Sequence, residues 1–339
     1  MVLESCDVTV RTSEVLGVYG PNGAGKSTLL QALAGLLPLA SGHLAFKGRV
    51  LGQTLTTLDY HRATAAVFQE PLLLRGTVWH NVTLGLRLRG VAAHERDARA
   101  WPWLERLKIA DLAERPIRAL SGGEAQRTSL ARALVLNPEI MFLDEPFASL
   151  DAPTRFRLVG ELAEILAEGR IAAVFVTHDL AEAADVCHRG LIMDRGHVLA
   201  EGELPQIIRQ PRSRRIAEIV GTENIFEGTV VDVHSSGGSL EWSGQRLAIS
   251  RDNLASGRRV TFVVRHEDVR LGDPKSSAAP NTLLGHVSYV RRCGEAQLVG
   301  IRVGSPHVWH ATASPHEQYA PGQQVAITIP PAAIWVMPE

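Results

Sequence analysis

Gly20-Pro21-Asn22-Gly23-Ala24-Gly25-Lys26-Ser27 is the stretch on which the reading of this chain turns. It is a glycine-rich loop closed by Lys-Ser, the pattern of a phosphate-binding loop. Its glycines let backbone N–H groups close around phosphate oxygens, and a helix beginning near Ser27 adds the positive end of its dipole. In such a loop Lys26 reaches the β- and γ-phosphates of a nucleotide and Ser27 holds Mg²⁺, with Thr28 next to them on the same turn. The flanks agree. Residues 14–19 (Glu-Val-Leu-Gly-Val-Tyr) read as a short apolar strand, and Ser27 to Leu37 read as a helix. Strand, loop, helix is the context this loop requires.

Working outward, residues 140–143 (Ile-Met-Phe-Leu) and 171–176 (Ile-Ala-Ala-Val-Phe-Val) are unbroken apolar runs with polar borders. Such runs point to parallel strands buried on both faces. Between them, residues 152–168 carry helical periodicity, with Leu158, Leu162, Ile165 and Leu166 on one side. The resulting βαβ pattern predicts an α/β fold of the P-loop NTPase type. Residues 77–135 are mostly helical in pattern and read as an inserted subdomain. Beyond about residue 222 short alternating segments take over, at 228–234, 239–242, 246–249, 260–264, 284–290, 297–303, 308–312 and 325–329. They predict a small all-β barrel or sandwich. The expected domains are 1–215 and 222–339, with Arg209–Arg215, which contains Pro211, as a linker.

Asp144 and Glu145 directly follow the apolar run 140–143. Ligands of open α/β sheets bind beyond the carboxyl ends of strands, which places this pair where the phosphate loop opens. Asp144 can hold Mg²⁺ through water, and Glu145 can take a proton from an attacking water. An acid pair before Pro146 also has an ordinary use as a helix N-cap.

Leu120-Ser121-Gly122-Gly123-Glu124-Ala125-Gln126-Arg127 is the most informative segment after the phosphate loop. Ser121 and Glu124 have capping-box spacing ahead of a helical run. The two glycines leave helix-start N–H groups open to an anion. Leu-Ser-Gly-Gly followed by Gln-Arg resembles the signature sequence of ABC ATPases. Other elements of that family then fall in order: Gln69 in Val-Phe-Gln-Glu-Pro resembles the glutamine loop, Ser149-Leu150-Asp151 the segment that crosses the dimer interface, and His178 in Val-Thr-His-Asp the switch histidine. The resemblance covers about residues 2–210. It implies ATP and Mg²⁺ as cofactors and a head-to-tail homodimer. Each nucleotide would lie between the phosphate loop of one copy and Ser121, Gly122 and Gly123 of the other. Asp151 would lie at the same junction, and Ser27, Gln69 and Asp144 would lie near the metal. Glu145, His178 and Gln69 are the catalytic residues it implies. It also implies transmembrane permease subunits that receive the motion, and indirectly an extracytoplasmic substrate-binding protein.

The tail narrows the resemblance. Gly221-Thr222-Glu223-Asn224-Ile225-Phe226-Glu227-Gly228 and Val264-Arg265-His266-Glu267-Asp268-Val269 resemble the OB-like regulatory domain of binding-protein-dependent importers. The first stretch, with Ser276-Ser277-Ala278-Ala279-Pro280-Asn281, is closest to the molybdate/tungstate group. It implies an oxyanion cargo and suggests Ser276 and Ser277 as oxyanion contacts. Other import substrates (sulfate, iron, polyamine, sugar) fit the ATPase motifs equally. A soluble ABC protein acting on nucleic acid usually pairs two cassettes, and this chain has one. The regulatory-type tail argues against an exporter.

Bulk properties agree. A net charge of -1 gives no reason to expect nucleic acid held by charge. Cys6, Cys187 and Cys293 fit no metal or disulfide spacing. The apolar runs are far shorter than the roughly 20 residues of a membrane span, so the expected location is peripheral, on the cytoplasmic face of the membrane, through partners. Family members place an adenine-stacking aromatic upstream of the position where this sequence begins, and a weaker hold on the base is expected without it.

Overall fold

The computed structural model describes residues 3–187, 189–234, 237–250, 254–274, 279–294, 296–304 and 307–338. The chain divides into two compact units, Met1–Pro205 and Gln206–Glu339.

The first unit begins with β1 (Val15–Tyr19) and α1 (Lys26–Leu33), followed by a small antiparallel ribbon of β2 (Ala45–Phe46) and β3 (Arg49–Val50). Then come α2 (Thr57–Ala63), β4 (Thr64–Val67), α3 (Val78–Leu88), α4 (Ala93–Arg106) and α5 (Gly122–Leu134). β5 (Ile140–Asp144), α6 (Ala152–Gly169), β6 (Ala172–Thr177), α7 (Leu180–Val186), β7 (Arg189–Asp194) and β8 (His197–Glu203) complete it. The main sheet has the order β4-β5-β6-β1-β7-β8, parallel except for the final β7–β8 hairpin. Every residue of β5 and β6 is buried, as their unbroken apolar runs require. One face of the sheet packs on α3, α4, α5 and α6 through Val82, Leu104, Leu130, Leu143 and Leu162. The other packs on α1 through Leu16, Leu30, Phe142 and Val174. The anticipated stripe of α6, Leu158, Leu162, Ile165 and Leu166, is buried.

The helix expected to reach Leu37 stops at Leu33. The N–H of Gly35, at φ +70°, donates to Ala32 O at 3.0 Å, and the N–H of Leu36 donates to Gln31 O at 2.9 Å. These are the two bonds of a Schellman stop, and only glycine takes that φ without strain.

In the second unit α8 (Leu204–Arg209) straddles the division, and α9 (Arg214–Ile219) starts on Ser213, whose Oγ accepts the Ile216 N–H at 3.3 Å. The stretch expected as a linker is therefore partly helical. Pro211 is buried, and its carbonyl accepts the Trp335 indole N–H at 3.0 Å. The strands are β9 (Asn224–His234), β10 (Gly237–Trp242), β11 (Gln245–Ile249), β12 (Arg259–Val264), β13 (Arg270–Gly272), β14 (Thr282–Cys293), β15 (Ala296–Arg302), β16 (Val308–Ala313), β17 (Gln324–Thr328) and β18 (Trp335–Val336). They form two antiparallel sheets, β11-β10-β9-β12-β18 and β13-β17-β14-β15-β16. Phe226, Trp242 and Phe262 of one sheet meet Val299, Ile301 and Trp309 of the other in one core. The all-β class is the expected one. β13 and β18 are too short for alternation to show. Among the described residues no helix is long and apolar enough to cross a membrane.

Candidate active site

The phosphate loop runs from the end of β1 into α1. Gly20 is packed so closely that a Cβ there would sit 2.2 Å from the Met193 carbonyl oxygen. Gly23 and Gly25 have φ of +79° and +99°, the left-handed region that favours glycine. Gly25 is the N-cap of α1, and no side chain caps it. The first N–H groups of α1 thus meet no capping group of the chain, which suits phosphate oxygens. Asn22 and Gly23 are exposed, Pro21, Gly25 and Thr28 are half-buried, and Ala24 and Lys26 are buried. The Lys26 ammonium donates to Gly20 O at 2.9 Å and Pro21 O at 3.2 Å and lies 3.9 Å from Glu145 Oε1. Burial pulls the Lys26 pKa down, and the neighbouring Glu145 and Asp144 carboxylates oppose that.

β5 and β6 bring the acidic partners to the same end of the sheet. Ser27 Oγ donates to Asp144 Oδ1 at 3.0 Å. Burial pushes the Asp144 carboxyl up and the nearby Glu145 adds to that, while the Ser27 hydroxyl and Lys26 pull it down. Glu145 extends the ladder by one bond, its N–H donating to Val176 O at 2.9 Å, and then turns to φ +44°. A non-glycine residue in that region carries strain, and such strain gathers at functional positions. Glu145 Oε2 lies 2.9 Å from His178 Nδ1, just beyond β6. Neither acid caps a helix: Asp144 faces Ser27, and Glu145 faces Lys26 and His178. Oxygen donors such as the Ser27 hydroxyl and the Asp144 carboxylate suit a hard cation such as Mg²⁺. No group of three or more His, Cys, Asp or Glu among the described residues could hold a metal.

Of the remaining predicted residues, Ser121, Gly122, Gly123 and Asp151 form a second group at the starts of α5 and α6, and Gln69 stands apart from them. Ser121 caps α5 in a complete capping box: its N–H donates to Glu124 Oε2 at 2.7 Å, and the Glu124 N–H donates to Ser121 Oγ at 3.4 Å. Ser121 and Gly122 are exposed and Gly123 is half-buried. A Cβ on Gly122 would meet only Leu150, at 3.8 Å, and one on Gly123 only Thr154, at 3.5 Å. Asp151 caps α6, accepting the Thr154 N–H at 3.0 Å. Gln69 is exposed in the bend after β4. Motif reading missed the polar residues behind His178, namely Thr177, Glu182 and Arg155, which are linked by bonds of 2.7 and 3.3 Å. Gln126, which the signature segment includes without a role of its own, donates its amide to Phe68 O at 3.4 Å, beside Gln69. No local pattern announces these pairs.

Known proteins share this architecture. The ABC transporter family profile matches residues 3–148 and the TOBE domain profile residues 262–337. The chain is 32% identical over 303 residues to the sn-glycerol-3-phosphate import ATP-binding protein UgpC 1 of Rhizobium johnstonii, covering 88% of this chain and 80% of that protein. It is 34% identical over 300 residues to the sulfate/thiosulfate import ATP-binding protein CysA of Bradyrhizobium diazoefficiens, covering 87% and 83%. It is 30% identical over 305 residues to the molybdate/tungstate import ATP-binding protein WtpC of Pyrococcus abyssi, covering 89% and 85%. Among solved structures, cbiO1 of Clostridium perfringens, described as part of the ABC transporter complex cbiONQ, matches with a TM-score of 0.56 and 28% identity, over 61% of this chain and 83% of that one. The loop, the acid pair and these matches together lead to one conclusion: the chain belongs to the ABC transporter ATP-binding family, as the ATP-binding subunit of an importer with a C-terminal TOBE domain.

Proposed function

We propose that this chain hydrolyses MgATP at a site completed by a second copy of itself, and that the resulting motion drives import through transmembrane permease subunits. The observation that carries this reading is the convergence of Lys26, Ser27, Asp144, Glu145 and His178 at the carboxyl ends of β1, β5 and β6. The phosphate loop from Gly20 to Thr28 cradles the phosphates, and Lys26 turns its ammonium toward the β- and γ-phosphates. Ser27, Asp144 and Gln69 would hold Mg²⁺, which when bound would neutralise phosphate charge. Glu145 accepts the proton of the attacking water at its carboxylate. His178 orients Glu145 and contacts the γ-phosphate. In the homodimer, Ser121, Gly122 and Gly123 of one copy present the start of α5 to the nucleotide held by the other. Asp151 lies at that junction. A γ-phosphate gripped from both sides is a switch whose loss opens the clamp.

The cargo reading rests on the tail. The sequence stretches 221–228 and 276–281 favour an oxyanion of the molybdate/tungstate type, delivered by an extracytoplasmic binding protein. The relatives are named for sn-glycerol-3-phosphate, Fe(3+), sulfate/thiosulfate, spermidine/putrescine and molybdate/tungstate, so the ATPase core supports no single cargo. Ser276 and Ser277 lie outside the described residues.

Two experiments test this. Light scattering on Glu145→Gln with ATP and Mg²⁺ should show a stable dimer that hydrolyses ATP very slowly; near-normal turnover sinks the role of Glu145. Cells lacking the gene should lose molybdenum- or tungsten-enzyme activity at limiting metal, with rescue by excess oxyanion. A defect that follows iron, polyamine or sugar supply removes the cargo reading and leaves the ATPase reading standing.

A further inference from the structure

His178 opens a tight turn between β6 and α7, and the polar groups that hold this turn reach back to α6. Thr177 Oγ1 is the hub. It accepts the Asp179 N–H at 3.0 Å and donates to Glu182 Oε2 at 2.7 Å. The Glu182 N–H donates to Asp179 Oδ1 at 3.4 Å, which closes the turn on itself. The other carboxylate oxygen of Glu182, Oε1, lies 3.3 Å from Arg155 Nε. Arg155 stands one turn into α6, its N–H donating to Asp151 O at 2.9 Å. The Glu182 side chain is only 12% exposed, and that of Arg155 27%. Burial pushes the Glu182 carboxyl up, while the Thr177 hydroxyl and Arg155 pull it back down. A carboxylate withdrawn from water keeps its charge and orientation only with such partners. The His178 side chain is 50% exposed, so little packing holds the ring itself.

We infer that Arg155 and Glu182 are positioning residues for His178: through Thr177 they set the 177–182 turn, and so the place of the imidazole beside Glu145, and they tie that placement to the Asp151 end of α6. This rests on the proposed role of His178 at the γ-phosphate. Without Arg155, Glu182 loses its charge partner and Thr177 loses a fixed acceptor. The turn then loosens, and His178 leaves its 2.9 Å contact with Glu145. A pair that only fastened α6 to α7 would change the melting temperature and leave the ring of His178 where it is.

The test uses the full chain with Arg155→Ala, Arg155→Lys, Glu182→Gln and His178→Ala. Misplacing a reacting group by a fraction of an ångström is enough to cost on the order of ten- to a hundredfold in kcat, and that loss is expected for Arg155→Ala and Glu182→Gln, with KM for MgATP within about threefold. Arg155→Lys should restore most of the rate. The histidine imidazole NMR signal that His178→Ala removes should shift in Arg155→Ala and return in Arg155→Lys. Adding Arg155→Ala to His178→Ala should lower kcat no further. Normal kcat in Arg155→Ala, an unmoved His178 signal, or losses that multiply in the double variant each overturn the inference. If Arg155→Ala melts too low to assay, the rates and His178 signals of Arg155→Lys and Glu182→Gln, taken at lower temperature, decide on the same terms. Full turnover in His178→Ala removes the role of His178 and the inference with it. A slow His178→Ala beside a normal Arg155→Ala removes the positioning alone.

Discussion

Asp144 in the first unit and Asn281 in the second are each 8% exposed, yet their surroundings differ. Asn281 is saturated by main chain. It accepts the Ala248 N–H at 2.6 Å and donates to Ala248 O at 2.8 Å and Ile329 O at 3.1 Å. Asn224 bridges the strands in the same way, exchanging bonds of 2.9 and 2.7 Å with the main chain of His310. Asp144 instead faces a side chain, Ser27, and its buried carboxyl is pushed up toward the neutral form. Polar groups satisfied by their own backbone hold the barrel together. A buried carboxyl at a strand end, faced by side chains and raised in pKa, is the kind of group from which candidate functional sites are built. Parallel strands create such an end, because their carboxyl termini face the same way. The antiparallel sheets of the second unit bury their buried amides between strands.

The largest test of that contrast is Lys26→Ala. Charge-assisted hydrogen bonds contribute about 1.5–3 kcal/mol each, and several would go at once. Nucleotide affinity and turnover should both fall by more than about a hundredfold, a loss far larger than any drop in stability from unpairing the Gly20 and Pro21 carbonyls. Calorimetric titration with ATP and a steady-state assay check this. Asn281→Ala should do the reverse. Leaving buried main-chain groups unpaired costs about 1–3 kcal/mol each, so the urea midpoint should drop clearly with kcat unchanged. A loss of turnover there would break the division of labour between the units.

Asp144→Asn sharpens the comparison further. The folded carboxyl titrates above its usual range, so the native state holds the proton longer than the unfolded chain. Stability of the nucleotide-free chain then falls as pH rises through that window. Asp144→Asn should abolish this fall and raise the denaturant midpoint above it, while eliminating Mg²⁺-dependent turnover. A midpoint lowered by Asp144→Asn at neutral pH would contradict the argument. The smallest effect has the opposite sign. The Ser121 N–H and hydroxyl hold the Glu124 carboxyl below its usual value. Its contribution is present above the ordinary glutamate pKa and is lost as pH falls through the folded one. Glu124→Gln should flatten that part of an acid-melting curve slightly, because the pair is near the surface and screened.

The phosphate loop, the signature segment, the acid pair and the alternation of the tail were legible residue by residue. Each depends on local chemistry: glycine where φ must be positive, apolar runs where strands are covered twice, a serine and a glutamate at capping distance. The stop of α1 was also local, since Gly35 carries it, although the apolar Leu36 and Leu37 extend the helical pattern past it. What the order of residues leaves open is which distant groups meet. Ser27 and Asp144 are 117 residues apart, and Glu145 and His178 are 33 apart. Family resemblance joined those pairs; in the fold they meet because β1, β5 and β6 lie side by side in register. Arg155 and Glu182 belong to no motif, and only the packing of α6 against α7 reveals them. Pro211 looks like a linker proline because its backbone chemistry favours turns, yet Trp335, more than a hundred residues later, takes its carbonyl and builds it into the second unit. Backbone preference is written into neighbouring residues, whereas a side chain's partner is set by which surfaces the sheets bring together.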